Sequence, residues 1–314
     1  MAFSFFKNSL RNESISLLVD IGSASVGAAL VKLEKGKPPH ILATVRENIS
    51  FQEVLSSGHF LIAMNHSLDK VLKNIQLKTK STGHPLHIFC TLSSPWFILK
   101  SRHLLISRQE EFEVTERTLD EFINDDIERL KDELKETLPP KDVKIIEKKI
   151  IQIKLNGYEI KNPYGQKTSQ VELLMTVGVS SKKVVESIER KIGNVFHAKE
   201  VNFGAFPIAA FSAIRDIFPT EKNFLFLDIT GEATDVSLVS NDILMGTVSF
   251  SRGKNFFIRE ISTELRTVHE EAATLFAMFL RNELDSAKSV QIAKIIKRAE
   301  NEWFIRFEKA ISTL

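Results

Sequence analysis

The chain has 314 residues, with 42 Lys and Arg against 40 Asp and Glu and a formal net charge of +2. That balance excludes an electrostatic claim on nucleic acid, which needs a concentrated basic face. The length suits about two domains, and the single cysteine, Cys90, excludes an internal disulfide and fits a reducing compartment.

No apolar run reaches the ~18 residues of a membrane-spanning helix. The start of the chain, with Phe3, Phe5, Phe6, Lys7 and Arg11, is too short and interrupted for a signal peptide and reads as a disordered or edge-packed tail. Residues 17–21 then form a short apolar strand, Gly22 to Ser25 turn it, and residues 28–33 continue as a second strand. After a polar turn, residues 41–49 alternate as a third. Phe60, Met64, Leu68, Val71, Leu72 and Ile75 recur at helical spacing and predict a helix over 59–78. A polar break with Gly83 and Pro85 follows.

Residues 87–92 predict a strand carrying Cys90 as a packed side chain, Ser94-Pro95-Trp96 a bend packed by its Trp, and residues 98–106 another strand. A charged amphipathic helix is expected over 115–138, stopped by Pro139-Pro140. The acidic run from Glu110 to Glu136 reads as its solvated face. Strands at 145–155 and 171–179 precede a helix capped by Ser180 and carrying Val184, Val185, Ile188 and Ile192. Residues 201–214 read as a loop entering an apolar helix. A second hairpin spans 224–239, Asp242 turns the chain, residues 243–249 give one more strand, and the remainder from Lys254 is helical. The last helix carries a stripe of Ile296, Ala299, Trp303, Phe307, Ile311 and Leu314. The organisation is therefore residues 1–83 as the first part of lobe I, 84–198 as an inserted α+β subdomain, 199–221 as the return helix of lobe I, and 222–314 as lobe II. His84, His87, His103 and His197 lack the spacing of a metal site.

The two hairpins carry the functional reading. Each is an apolar strand ending in Asp, then a tight turn and a departing strand: Asp20 with Gly22, Ser23 and Ser25, and Asp228 with Gly231, Thr234 and Asp235. Backbone N–H groups and hydroxyls of such turns can hold phosphate oxygens, and the carboxylate can hold Mg²⁺ directly or through water. One such hairpin is equally a ligand-free turn, and each Asp could simply end its strand. Two copies read as pseudo-symmetric halves facing one cleft.

This pattern resembles the actin-like ATPase superfamily. An insertion after three strands and a helix, with Leu155-Asn156-Gly157-Tyr158 and Asn162-Pro163-Tyr164-Gly165 inside it, resembles the FtsA/PilM group of bacterial cell division and type IV pilus assembly. The resemblance implies an α/β fold of duplicated actin-like (ribonuclease H-like) lobes with an inserted α+β subdomain. It implies ATP and Mg²⁺ as ligands, the phosphates held by Asp20, Gly22, Ser23, Ser25, Asp228, Gly231, Thr234 and Asp235, and the metal by Asp20 and Asp228. It further implies a scaffold at the inner face of the cell membrane, with partners in a division ring or pilus inner-membrane complex, self-association, and at most weak ATPase activity.

The departures are specific. The group's second loop reads Asp-Ile-Gly-Gly-Gly-Thr-Thr-Asp, whereas here Thr230 and Glu232 replace glycines and Ala233 replaces Thr. A side chain forced into left-handed geometry costs about 1–2 kcal/mol, and a Glu held about 4 Å from a phosphate adds repulsion of roughly 4 kcal/mol at intermediate dielectric. The Gly-rich adenosine loop expected after the last helix is not found, nor is an amphipathic membrane tail, so the chain reads as C-terminally truncated or degenerate. Two alternatives stand beside the scaffold: a pseudo-ATPase subunit that binds no nucleotide, and an ATP-dependent small-molecule kinase, for which no cleft base is evident.

Overall fold

The computed structural model describes residues 13–314, so the tail expected at the start of the chain lies outside the described residues. Strands β1 (Glu13–Ile21), β2 (Ser25–Glu34) and β3 (His40–Asn48) form an antiparallel meander. Helix α1 (Ser57–Thr82) follows, then β4 (His87–Leu92), which pairs with β1 in parallel. The predicted stripe of α1 is buried, with Met64, Leu68, Val71, Leu72 and Ile75 at 0% exposure. They pack on Leu17, Val19 and Ile21 of β1 and Cys90 of β4. The helix runs past the expected break at Thr79 and ends at Gly83, whose φ of 98° is one that side chains avoid.

The insertion between β4 and the rest of this sheet has its own sheet, ordered β5-β8-β6-β7. It comprises β5 (Ile98–Glu113), α2 (Glu116–Glu133), β6 (Val143–Leu155), β7 (Tyr158–Glu159), β8 (Lys167–Ser181) and α3 (Lys182–Phe196). Leu173, Met175, Val177 and Val179 of β8 pack against Ile123, Ile127 and Leu130 of α2. β5 is longer than its apolar alternation indicates, because the strand bulges over residues 108–111 and resumes pairing with β8 at Phe112 and Glu113. Helix α2 is shorter than expected, its end passing into turns before Pro139. Thr115 caps it, accepting from the Thr118 N–H at 3.1 Å. Helix α3 returns to lobe I, where Lys191 meets Asp69 of α1 at 2.6 Å.

Residues read as a loop instead make a fifth strand, β9 (Asn202–Ala205), parallel to β4, before helix α4 (Phe206–Ile217). Four residues are too few for a periodicity signal, and only the waiting edge of β4 makes this segment a strand. The second meander follows: β10 (Phe224–Ile229), β11 (Thr234–Ser240) and β12 (Ile243–Phe250). Asn241 and Asp242, with φ of 51° and 63°, make the β11–β12 turn, as residues tolerant of left-handed backbone can. Helices α5 (Lys254–Leu265), α6 (His269–Leu280) and α7 (Ser286–Ile311) pack around Ile258, Ile261, Ile292 and Ile296. The first half of the predicted α7 stripe is core, with Ile296 at 7% and Ala299 at 3% exposure, while Ile311 remains 38% exposed.

The two meanders differ in one respect. β1 is flanked by β2 and β4, whereas β10 pairs only with β11 among the described residues. Leu225, Leu227 and Ile229 on one face of β10 are 41–52% exposed. No helix of the described residues is long and apolar enough to cross a membrane.

Candidate functional site

The β1–β2 and β10–β11 turns face each other across the lobe boundary, and they touch. Ser23 Oγ lies 2.6 Å from Thr230 Oγ1, and the Glu232 N–H donates to Ser23 Oγ at 2.8 Å. A Cβ on Gly231 would lie 2.9 Å from the Cβ of Ala24. Gly231 is therefore small because the opposing turn needs the space. A phosphate group cannot enter between two oxygens already at hydrogen-bond distance.

The remaining residues of the predicted cradle are engaged by other parts of the chain. In the strand register Asp20 stands opposite Gly27, and Gly27 opposite Arg46. Because Gly27 has no side chain, the Arg46 guanidinium crosses β2; a Cβ there would meet it at 2.7 Å. Its Nη2 donates to Asp20 Oδ2 at 2.7 Å and its Nη1 to Ser25 Oγ at 2.7 Å. A guanidinium thus occupies the carboxylate expected to hold Mg²⁺. Both side chains are more than a third exposed, so their pairing adds little stability. Arg46→Ala should lower the unfolding free energy by about 1 kcal/mol or less, a loss that shrinks in molar salt when urea denaturation is compared at the two ionic strengths.

Gly22 is held from both sides, its N–H donating to the Ser25 carbonyl at 3.1 Å and its carbonyl accepting from Trp96 Nε1 at 2.8 Å. Trp96 also stacks on Phe60 at 4.8 Å, so the bend that sequence reading assigned to packing also fixes the first turn. In the second turn, Thr234 donates to the Arg252 carbonyl at 2.6 Å and accepts from Trp303 Nε1 at 3.2 Å. The first free N–H groups of α5, those of Lys254 and Asn255, donate to the Thr230 and Gly231 carbonyls at 2.8 Å each. Gly253 is required there, since a side chain would overlap the Thr230 carbonyl.

The carboxylates behave as a crowded group. Asp228 stands opposite Asp235 in the hairpin register. Burial pushes the Asp228 carboxyl up to about 6, helped by the charges of Asp235 and Asp20 and opposed by a hydrogen bond from Ser93. Burial likewise raises Asp235, against hydrogen bonds from Ser249 and Ser94, and its Oδ1 has no partner. Among the described residues no group of three His, Cys, Asp or Glu side chains is arranged to hold a metal ion.

The feared strain at Thr230 and Glu232 is absent, as neither has a positive φ. The Glu232 carboxylate is taken up by α5, with both oxygens 2.7 Å from Arg259 Nη2. Beside it a cavity of about 350 Å³ is lined by Leu55, Ser57, Phe60, Ser94, Phe250 and Ser251. No Lys or Arg lines it among the described residues, so it offers a polyphosphate no charge-assisted donor. The eight predicted cradle residues are thus brought to one place, but the residues present do not fit Mg²⁺ and a phosphate between the turns. Arg46 and Arg259 were missed by sequence reading, and Trp96 and Trp303 were read only as packing residues; the signal for Arg46 was Gly27, a glycine inside a strand, which marks close approach of another group.

No protein-family model matches the sequence, and no curated protein does. Solved structures do resemble the fold. The chain in a PilM–PilN type IV pilus biogenesis complex superposes with a TM-score of 0.62 over 95% of this chain and 76% of that one, at 16% identity. MreB5 of Spiroplasma citri bound to AMPPNP gives a TM-score of 0.47 over 96% of this chain and 79% of that one, at 11% identity. EutJ of Carboxydothermus hydrogenoformans gives 0.46 over 98% and 74%, also at 11% identity.

Proposed function

We propose that this chain, which has the actin-like ATPase fold, is a nucleotide-independent scaffold of a multiprotein assembly of the type IV pilus kind. The observation that carries the nucleotide-free part is the direct contact of the two turns, Ser23 on Thr230 at 2.6 Å. The Ser23 hydroxyl, expected to hold a phosphate, is taken up instead by Thr230, the residue that replaces a glycine of the second loop. The assembly part rests on the likeness to PilM in its complex with PilN. In this reading the protein works at the inner face of the membrane through partner proteins, and its chemistry is binding rather than catalysis.

Thermal unfolding with Mg²⁺-ATP against Mg²⁺ alone tests the first part. A ligand at about a hundred times its dissociation constant stabilises by about 2.7 kcal/mol, which moves the midpoint by several degrees in a chain of this size. No shift is expected. A shift of several degrees that disappears in Asp228→Asn would reject the reading. Failure of purified pilus inner-membrane components to bind the chain would reject the second part.

A further inference from the structure

We propose that Glu232 and Arg259 form a clamp that fixes the two lobes in one relative position, taking the mechanical place of a ligand in the cleft. The inference rests on the reading of the cleft as nucleotide-free. Glu232 sits in the β10–β11 turn with its side chain only 5% exposed, and Arg259 of α5 is 22% exposed. Asn255 Nδ2 completes the carboxylate with a donation at 2.7 Å. The same guanidinium then crosses to lobe I. Its Nη2 and Nε donate to the Gln52 carbonyl at 3.2 and 3.3 Å, and it lies 4.8 Å over the Phe51 ring. His269 of α6 stacks on Phe51 with ring centroids 3.2 Å apart and planes 11° from parallel.

The segment joining β3 to α1 is therefore gripped by two helices of lobe II. The ion pair lies within lobe II and contributes little net stability against its desolvation, but it holds the guanidinium in one place, and a displacement of the lobes would break that guanidinium's bonds to the Gln52 carbonyl. The cation over the Phe51 ring adds attraction that requires the same alignment. A ligand sets a lobe angle only through its different affinity for the open and closed states. Here the closing groups are covalently part of both lobes, so the closed state needs nothing from solution. The residue that replaces a glycine of the phosphate turn is thus the anchor of the clamp.

The test places spin labels at Ile62→Cys in α1 and Val290→Cys in α7, which are 68% and 58% exposed. Cys90 stays unlabelled, since it is fully buried and burial pushes its thiol up. The otherwise native chain should give one narrow interlobe distance by pulsed electron resonance. The paired substitution Glu232→Met with Arg259→Met leaves no buried charge unpaired, and should at least double the width of the distribution. Phe51→Ser removes the lobe I ring that Arg259 and His269 both grip, without touching α5, and should broaden it too, which decides the matter if the paired variant does not fold. A native chain already broad, or a folded Phe51→Ser chain as narrow as native, overturns the clamp. A native distance that moves on adding Mg²⁺-ATP would instead defeat the nucleotide-free reading, leaving the variants to judge the clamp.

Discussion

Arg102→Met should destabilise the protein by about 3 kcal/mol, the range for breaking a buried ion pair from one side. Arg102 of β5 is 16% exposed and Asp126 of α2 only 9%. Arg102 Nε and Nη2 each donate to one oxygen of Asp126 at 2.8 Å, a two-pronged pairing. Glu133 adds bonds of 2.7 and 3.0 Å but is half exposed, so it contributes less. Methionine keeps the aliphatic stem on the sheet, so the loss is that of charge: Asp126 is left inside with no compensating cation. Arg102→Met combined with Asp126→Leu should regain most of the loss, because the expensive species is the orphaned carboxylate. Urea denaturation of the single and double variants checks this. A single variant within 1 kcal/mol of wild type, where about 1.4 kcal/mol is tenfold, would refute it.

Asp228→Asn should raise stability at neutral pH, the opposite of what a metal ligand in use would show. The folded-state carboxyl titrates at about 6 against a model value of 3.8. Between those values the folded protein binds more protons than the unfolded chain, so the contribution of Asp228 is fully present below the lower value and is lost as pH rises through the upper one. Taken at face value the difference is roughly 3 kcal/mol at 1.36 per pH unit, and solvent screening of this half-buried group reduces it to about 1–2 kcal/mol. Asparagine keeps the shape and can still accept the Ser93 hydrogen bond. Midpoints measured from pH 4 to 8 should show a gain of a few degrees at pH 7.5 that fades toward pH 4. A loss at pH 7.5, or a gain independent of pH, would remove the carboxylate crowding from the account.

Much of the architecture follows from local pattern. The short apolar runs that end at each Asp mark their strands by composition and length, while the α1 stripe from Phe60 to Ile75 and the Ile188–Ile192 face of α3 determine their helices because burial of one face is dictated by residue spacing. The pairing of Asp20 with Asp228 as turn residues of equivalent hairpins is legible for the same reason: each hairpin is complete within about fifteen residues and announces itself.

The fate of those turns is decided elsewhere. Arg46 reaches Asp20 only because three strands are in a register that places Gly27 between them. Arg259 reaches Glu232 only because α5 starts on the carbonyls of the second turn. β9 is a strand only because β4 offers it an edge. These contacts join residues separated by 26 to 113 positions, and no local periodicity encodes them. The sequence by itself determined two facing hairpins with the residue types of a phosphate cradle. Only the tertiary structure decided that they meet each other, since a hydroxyl or carboxylate is satisfied by whichever donor the packing of distant elements brings within 3 Å.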